Sequence, residues 1–213
     1  MTKKMYVFIP ETKQQFHQVT MAKIANQFDS NPSDPFICKD IEIIQGTHKP
    51  GKNKLSKLPN ESEQSLYIVG HGAPGMNRIR IGESAEIPHF ETGENMTAEQ
   101  LVQSLKLNGL ANDFCGKIKL WICSSGAEGN GNPALATLVY LALKKEGFLK
   151  CRVYGYSYTL RANRYNEHTD TKFAVVAPIK NGSKVGTIKT TTPEGIVETL
   201  IRARDARLEF TSG

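Results

Sequence analysis

The chain has 213 residues, 39% hydrophobic and 23% charged, a balance that supports a full core and excludes wholesale disorder. No apolar run approaches the roughly 18 residues of a membrane span, and the stretch MYVFI at 5–9 is too short for a secretory signal, so neither a membrane segment nor Sec-type export is expected. The net charge of +6 favours polyanionic contacts only weakly, and the four cysteines (Cys38, Cys115, Cys123, Cys151) contain no CxxC pair. They read as reduced thiols in a reducing compartment rather than as a disulfide framework or a zinc site.

At about 150 residues per domain the length predicts one domain. The run at 5–9 reads as a first strand. Phe16, Val19, Ile24 and Phe28 recur at helical spacing, and Asp29-Ser30-Asn31-Pro32 stops that helix. Residues 36–44 (FICKDIEII) read as a second strand. A polar loop at 46–65 follows, carrying Lys49, Lys52, Lys54 and Lys57, and is expected to be the most flexible segment.

Residues 66–69 (LYIV) form a short continuous apolar run, as in a buried parallel strand, ending at Gly70-His71-Gly72. A small hairpin is expected around 78–81. Thr97-Ala98-Glu99-Gln100 matches a capping box that opens a helix to about 107. Residues 118–122 (IKLWI) are the next buried strand, ending at Cys123. A glycine-rich turn leads to Asn132-Pro133, read as N-cap and first residue of a helix that stops at Gly147. Strands are predicted at 153–158, 172–179 and 184–190, and a last helix over 192–208. The alternation predicts an α/β fold with a mainly parallel sheet flanked by helices.

In open α/β sheets, chemistry gathers at the carboxyl ends of the strands. Two strands here end in reactive residues, His71 and Cys123, 52 positions apart, with one crossover helix between them. A thiol attacks a carbonyl as thiolate, and an imidazole can take its proton and return it to a leaving amine. Cys123 also precedes a helix N-terminus, where the dipole favours negative sulfur. The N–H groups of Gly72 and Cys123 could form an oxyanion hole. Taken singly, a cysteine closing a strand is a small buried hydrophobe and a histidine after a strand is a surface or capping residue. The paired pattern is what points to chemistry.

Other chemistries fail on spacing. A phosphatase loop needs Arg six residues after Cys, where this chain has Gly129. A G-x-S-x-G elbow around Ser125 would need glycines where Cys123 and Ala127 stand. The glycines 126, 129 and 131 match neither a dinucleotide fingerprint nor a P-loop. Tyr154, Tyr156 and Tyr158 alternate on one strand face, but without basic–aromatic interleaving no nucleic-acid partner is expected. No metal is expected. A protein-binding module on the same fold, with the pair unused, is the alternative.

The segments LYIVGHG, MTAEQLVQSL, IKLWICSSG and RVYGYSYTL, spanning about 66–158, resemble the caspase-like clan of cysteine peptidases. That clan includes caspases, legumains, clostripain, gingipains and the self-cleaving protease domains of bacterial toxins, which are the most similar. The resemblance implies a caspase-like three-layer sandwich over 1–213 and a His71–Cys123 dyad acting through an acyl-enzyme. It also implies Gly72 and the Cys123 amide as oxyanion donors, and substrate contacts at Tyr156, Ser157 and Tyr158. The substrate would be a protein or peptide, the chain itself included, and the setting cytoplasmic or a host cytosol after delivery as an effector or toxin. Inositol hexakisphosphate, which activates the toxin domains, would meet Lys49, Lys52, Lys54, Lys57, Lys180, Lys184 and Lys189. Caspases have Gln-Ala-Cys-x-Gly, whereas Trp121-Ile122 precede Cys123 here and the next glycine is Gly126. The P1 preference stays open: Arg161 or Arg164 would suit an acidic residue, Glu167 or Asp170 a basic one.

Overall fold

A computed structural model describes residues 5–10, 41–46, 54–81, 94–166, 171–176, 188–191, 197–202 and 206–210. The element on which the rest is built is a six-stranded sheet of order β12-β7-β6-β3-β1-β2. Its members are β1 (Met5–Ile9), β2 (Ile41–Gln45), β3 (Ser65–Val69), β6 (Lys117–Trp121), β7 (Arg152–Tyr156) and β12 (Arg207–Phe210). The first five pair in parallel, and β12 closes one edge antiparallel to β7. The expected α/β class with a mainly parallel sheet is therefore what the chain forms.

Each strand divides its side chains between two faces, as a two-residue period requires. Phe8, Leu66, Ile68, Ile118, Leu120, Ile122 and Val153 belong to one large core cluster. It is shared with helix α1 (Ala98–Leu107) and helix α2 (Leu135–Lys145). On α1 the buried residues Ala98, Leu101, Val102 and Leu105 recur every three or four positions, the stripe that lets a helix lie on a sheet. The opposite face carries Val7 and Ile9 in one cluster and Trp121, Tyr156 and Leu160 in another, with Tyr67 and Val69 packed against both.

α1 begins as its sequence predicts. The Thr97 hydroxyl accepts from the Gln100 N–H at 3.2 Å, and the Gln100 side chain accepts from the Thr97 N–H at 2.8 Å. Thr97 also ends β5 (Glu94–Thr97), which pairs antiparallel with β4 (Arg78–Ile81), the expected hairpin. At α2 the expected start is corrected. The helix opens at Leu135 behind Ala134, and Asn132 instead donates its side-chain amide to the Gly75 carbonyl at 3.0 Å. A loop-to-loop bond has taken the residue that would have capped the helix.

The C-terminal third is a further correction. In place of a helix over 192–208, the described residues form β11 (Val197–Arg202) and β12. β11 lies inside a four-stranded antiparallel sheet of order β10-β11-β9-β8, with β8 (Thr159–Asn166), β9 (Thr171–Val176) and β10 (Ile188–Thr191). Alternating β-branched Val197, Thr199 and Ile201 suit a strand with a ladder on both sides. The predicted helix at 16–28, Cys38, His17, His48, His89 and His168 lie outside the described residues. No helix among the described residues is long and apolar enough to cross a membrane.

Two measurements check this packing. Thr97→Ala removes the cap acceptor and is expected to lower stability by about 1 kcal/mol in a denaturant melt. Burial pushes the Cys151 thiol up to about 11 from its ordinary value of 9.0. Because the folded value is the higher one, this stabilisation is complete below pH 9 and drains away as the pH climbs to 11. The stability gap between wild type and Cys151→Ala should therefore narrow over that window, by about 1 kcal/mol per pH unit.

Candidate functional site

The site is set by one ladder. β3 and β6 pair in parallel from Ser65↔Lys117 to Val69↔Trp121. Two residues beyond the last pair come His71 on one strand and Cys123 on the other, so both leave the carboxyl ends of neighbouring strands at the same height. Neighbouring strands lie about 4.8 Å apart. The contact between the two ends is direct. A Cβ placed on Gly72 would stand 2.6 Å from the Ile122 Cγ2 and 2.9 Å from the Cys123 carbonyl oxygen. Only a residue without a side chain lets the chain after His71 press against the chain at Cys123.

His71 is exposed and Cys123 half-buried. Cys123 packs against the cluster of Trp121, Tyr156, Leu160 and Ala206, as Tyr158 does, on the sheet face away from the α1 and α2 core. Its neighbour Ser124 has φ +54, in the left-handed region that L residues avoid. That conformation turns the chain sharply and leaves the thiol at the end of β6 rather than within a continuing strand. Non-glycine residues in this region concentrate at functional turns.

The turn is held from three directions. Ser125 is buried; its hydroxyl donates to the Leu120 carbonyl at 3.1 Å and accepts from the Tyr156 N–H at 3.1 Å. The Ser125 carbonyl accepts from the Ala136 N–H at 2.8 Å, so the first turn of α2 is anchored on the turn after the thiol. Gly126 donates to the Tyr156 carbonyl at 2.9 Å and Ser124 to the Tyr158 carbonyl at 3.0 Å. The loop after His71 is joined to the same turn, because Gly75 donates to the Ala127 carbonyl at 3.2 Å.

Of the three expected substrate contacts, Tyr156 is buried, with its ring 5.2 Å from Trp121 in an edge-to-face pair. Burial pushes its hydroxyl pKa up, and the neighbouring Tyr67 adds to the rise. Ser157 and Tyr158 are half-buried, and Ser157 donates its N–H to the Ala206 carbonyl at 2.9 Å. Arg161 and Arg164 fall on β8, while Glu167 and Asp170 lie outside the described residues. Of the lysines named for a polyanion, Lys54 donates to the Gln45 carbonyl at 3.0 Å, Lys57 is exposed and Lys189 falls on β10. Lys49, Lys52, Lys180 and Lys184 lie outside the described residues.

Sequence reasoning missed Leu160. Its N–H points at the Cys123 sulfur at 3.3 Å, and its carbonyl oxygen lies 3.7 Å from the same sulfur. It also missed the buried Lys119, whose ammonium donates to the Tyr67 hydroxyl at 3.2 Å. The alternation of 119, 121 and 123 along β6 was the available signal for the lysine. No signal in the sequence announces Leu160, because the contact is made by its main chain.

No protein-family model and no curated protein matches this chain. Among solved structures it is similar to a secreted C11 cysteine protease from Bacteroides thetaiotaomicron in complex with an irreversible peptide inhibitor. The identity is 11%, the TM-score 0.32, and the match covers 74% of this chain and 49% of that one. The chain thus spans about half the length of that protease, and any reading of the site rests on its own residues.

Gly72→Ala tests the close approach. The methyl group meets Ile122 and the Cys123 carbonyl, so a stability loss of about 1–3 kcal/mol is expected by thermal melting. In an Ile122→Ala background, which removes the Cγ2 that the new methyl would meet, the added cost of Gly72→Ala should shrink, locating the strain at this contact.

Proposed function

We propose that the chain is a cysteine peptidase of the caspase-like clan, one domain over 1–213, with Cys123 as nucleophile and His71 as its base and acid. The observation that carries this is the β3–β6 register, which brings a histidine and a cysteine to the same height at adjacent strand ends. The reading supplies each role with a residue. The His71 imidazole takes the Cys123 proton, and the thiolate adds to the carbonyl carbon of a peptide bond. The N–H groups of Gly72 and Cys123 hold the oxygen that becomes negative. Collapse expels the amine, which leaves with the proton from His71, and a thioester remains on Cys123. Water, deprotonated by His71, hydrolyses that ester and frees the thiol. The peptide lies near Ser157 and Tyr158, with the buried Tyr156 supporting them from below. A role as a delivered effector or toxin, self-cleavage, and activation by inositol hexakisphosphate extend the same reading.

The test is turnover of an unstructured protein such as casein, and of the chain itself, with and without inositol hexakisphosphate. Cys123→Ala and His71→Ala should each lower kcat/KM by about a thousandfold or more while the melt is unchanged. Alkylation should pick out Cys123 over the buried Cys151, with an apparent pKa below the free value of about 8.5 that rises in His71→Ala. A Cys123 that reacts no faster than Cys115, with no effect of His71→Ala and no turnover under either condition, would overturn the reading in favour of a binding module.

A further inference from the structure

The turn after Cys123 runs antiparallel to residues 156–160 and is joined to them by single main-chain bonds. Gly126 bonds Tyr156, Ser124 bonds Tyr158, and the next step along is Leu160. A regular ladder would present a backbone carbonyl to the Leu160 N–H. The sulfur of Cys123 occupies that place at 3.3 Å. β8 is the edge strand of its sheet, paired on one side with β9, where Leu160 stands opposite Ala174. In a strand the N–H and C=O of one residue point to the same edge and successive residues alternate, and both Leu160 groups meet the Cys123 sulfur, so they lie on the edge away from β9. The Leu160 side chain is 9% exposed and packs with Trp121, Tyr156 and Ala206, which fixes the peptide group in place.

We infer that Leu160 is a positioning residue whose main-chain amide holds the Cys123 sulfur and stabilises it as the anion; its bearing on catalysis rests on the nucleophile role proposed above. The two contacts to sulfur oppose each other in effect. The N–H donates to a thiolate, and a hydrogen bond to a charged acceptor is the strong kind. The carbonyl accepts only from the neutral thiol, an S–H being a weak donor, and at the longer 3.7 Å. The balance favours the anion once His71 removes the proton. It also fixes the direction from which sulfur approaches a carbonyl carbon.

The experiment changes the amide alone. Leu160 is replaced by its α-hydroxy acid in an otherwise complete chain, which turns the N–H into an ester oxygen and keeps the side chain. The apparent pKa of Cys123, read from the pH dependence of iodoacetamide alkylation, should rise by about one unit or more, roughly a tenfold loss of thiolate near neutral pH. Leu160→Ala, which keeps the amide, should leave that profile in place. A second measurement needs no ester. In Cys123→Ala the hydrogen exchange of the Leu160 amide should speed up about tenfold, while the Ser124 and Gly126 amides keep their protection. An unchanged alkylation profile in the folded ester variant, or unchanged Leu160 exchange in Cys123→Ala, overturns the inference. Both readouts follow the sulfur and not turnover. Absence of peptidase activity with these two effects intact would therefore count against the proposed reaction and leave the Leu160 contact standing.

Discussion

The parallel ladder between β3 and β6 is the constraint on which the site depends. Its register is fixed at both ends. At the amino ends, Lys117 donates its N–H to the Gln64 carbonyl at 2.7 Å, and Arg152 donates to the Gly116 carbonyl at 3.0 Å. Glu63 reaches both the Lys117 and Arg152 side chains, and the Lys117 ammonium holds its carboxyl below the ordinary range. These exposed pairs add little stability, but they accompany main-chain bonds that set the alignment. At the carboxyl ends, Gly72 closes on Ile122 and Cys123. A slip of one residue in either strand would exchange its two faces, sending Tyr67 or Trp121 into the helix-covered core.

From that ladder outward, the structure assigns different work to similar residues. Ser124 and Ser125 are adjacent and both buried, yet one supplies a left-handed bend and the other ties β6 to β7 through its hydroxyl. Gly126 and Gly155 lie so close that a Cβ on Gly155 would stand 2.8 Å from the Gly126 Cα and 2.8 Å from the Ala136 Cβ. This approach lets α2 and the turn after Cys123 sit on β7 together. The loops after the two strand ends are joined to each other, through Gly75 with Ala127 and Asn132 with Gly75, so neither moves independently. Positions 71 and 123 thus belong to one bonded unit assembled from four parts of the chain.

Much of this was legible in the sequence, and the parts that were not share a physical cause. A continuous apolar run announced β3, and the largely apolar IKLWI announced β6 although Lys119 interrupts it, because strands in the middle of a sheet are buried on both faces. The Thr97–Gln100 box announced α1, because both of its bonds are local. Asn132 misled, since its distant partner at Gly75 outweighs the local cap. The strand at 197–202 misled as well: Thr192-Pro193 resembles a helix opening, and only pairing with β9 and β10 makes the segment a strand. β8, with the polar sequence TLRANRYN, lacks an apolar run and exists through its ladder to β9. At the site, residue types and spacing were readable, while Leu160 was not, because a main-chain donor leaves no trace in side-chain identity.

Trp121 is the protein's one tryptophan, and it stands two residues before Cys123 in the same cluster of side chains. It is 7% exposed and meets Tyr67 and Tyr156 edge-to-face on either side, with ring centroids at 6.5 and 5.2 Å. Indole emission from the whole molecule therefore originates on the floor of the candidate site. Light absorbed by the flanking tyrosines has an acceptor within one ring's breadth. Sulfur ionisation, a bound chain or a shift of β8 against β6 would each alter the surroundings of that single fluorophore. The fold thus carries its own optical gauge of the site, with no label to attach and no second indole to subtract.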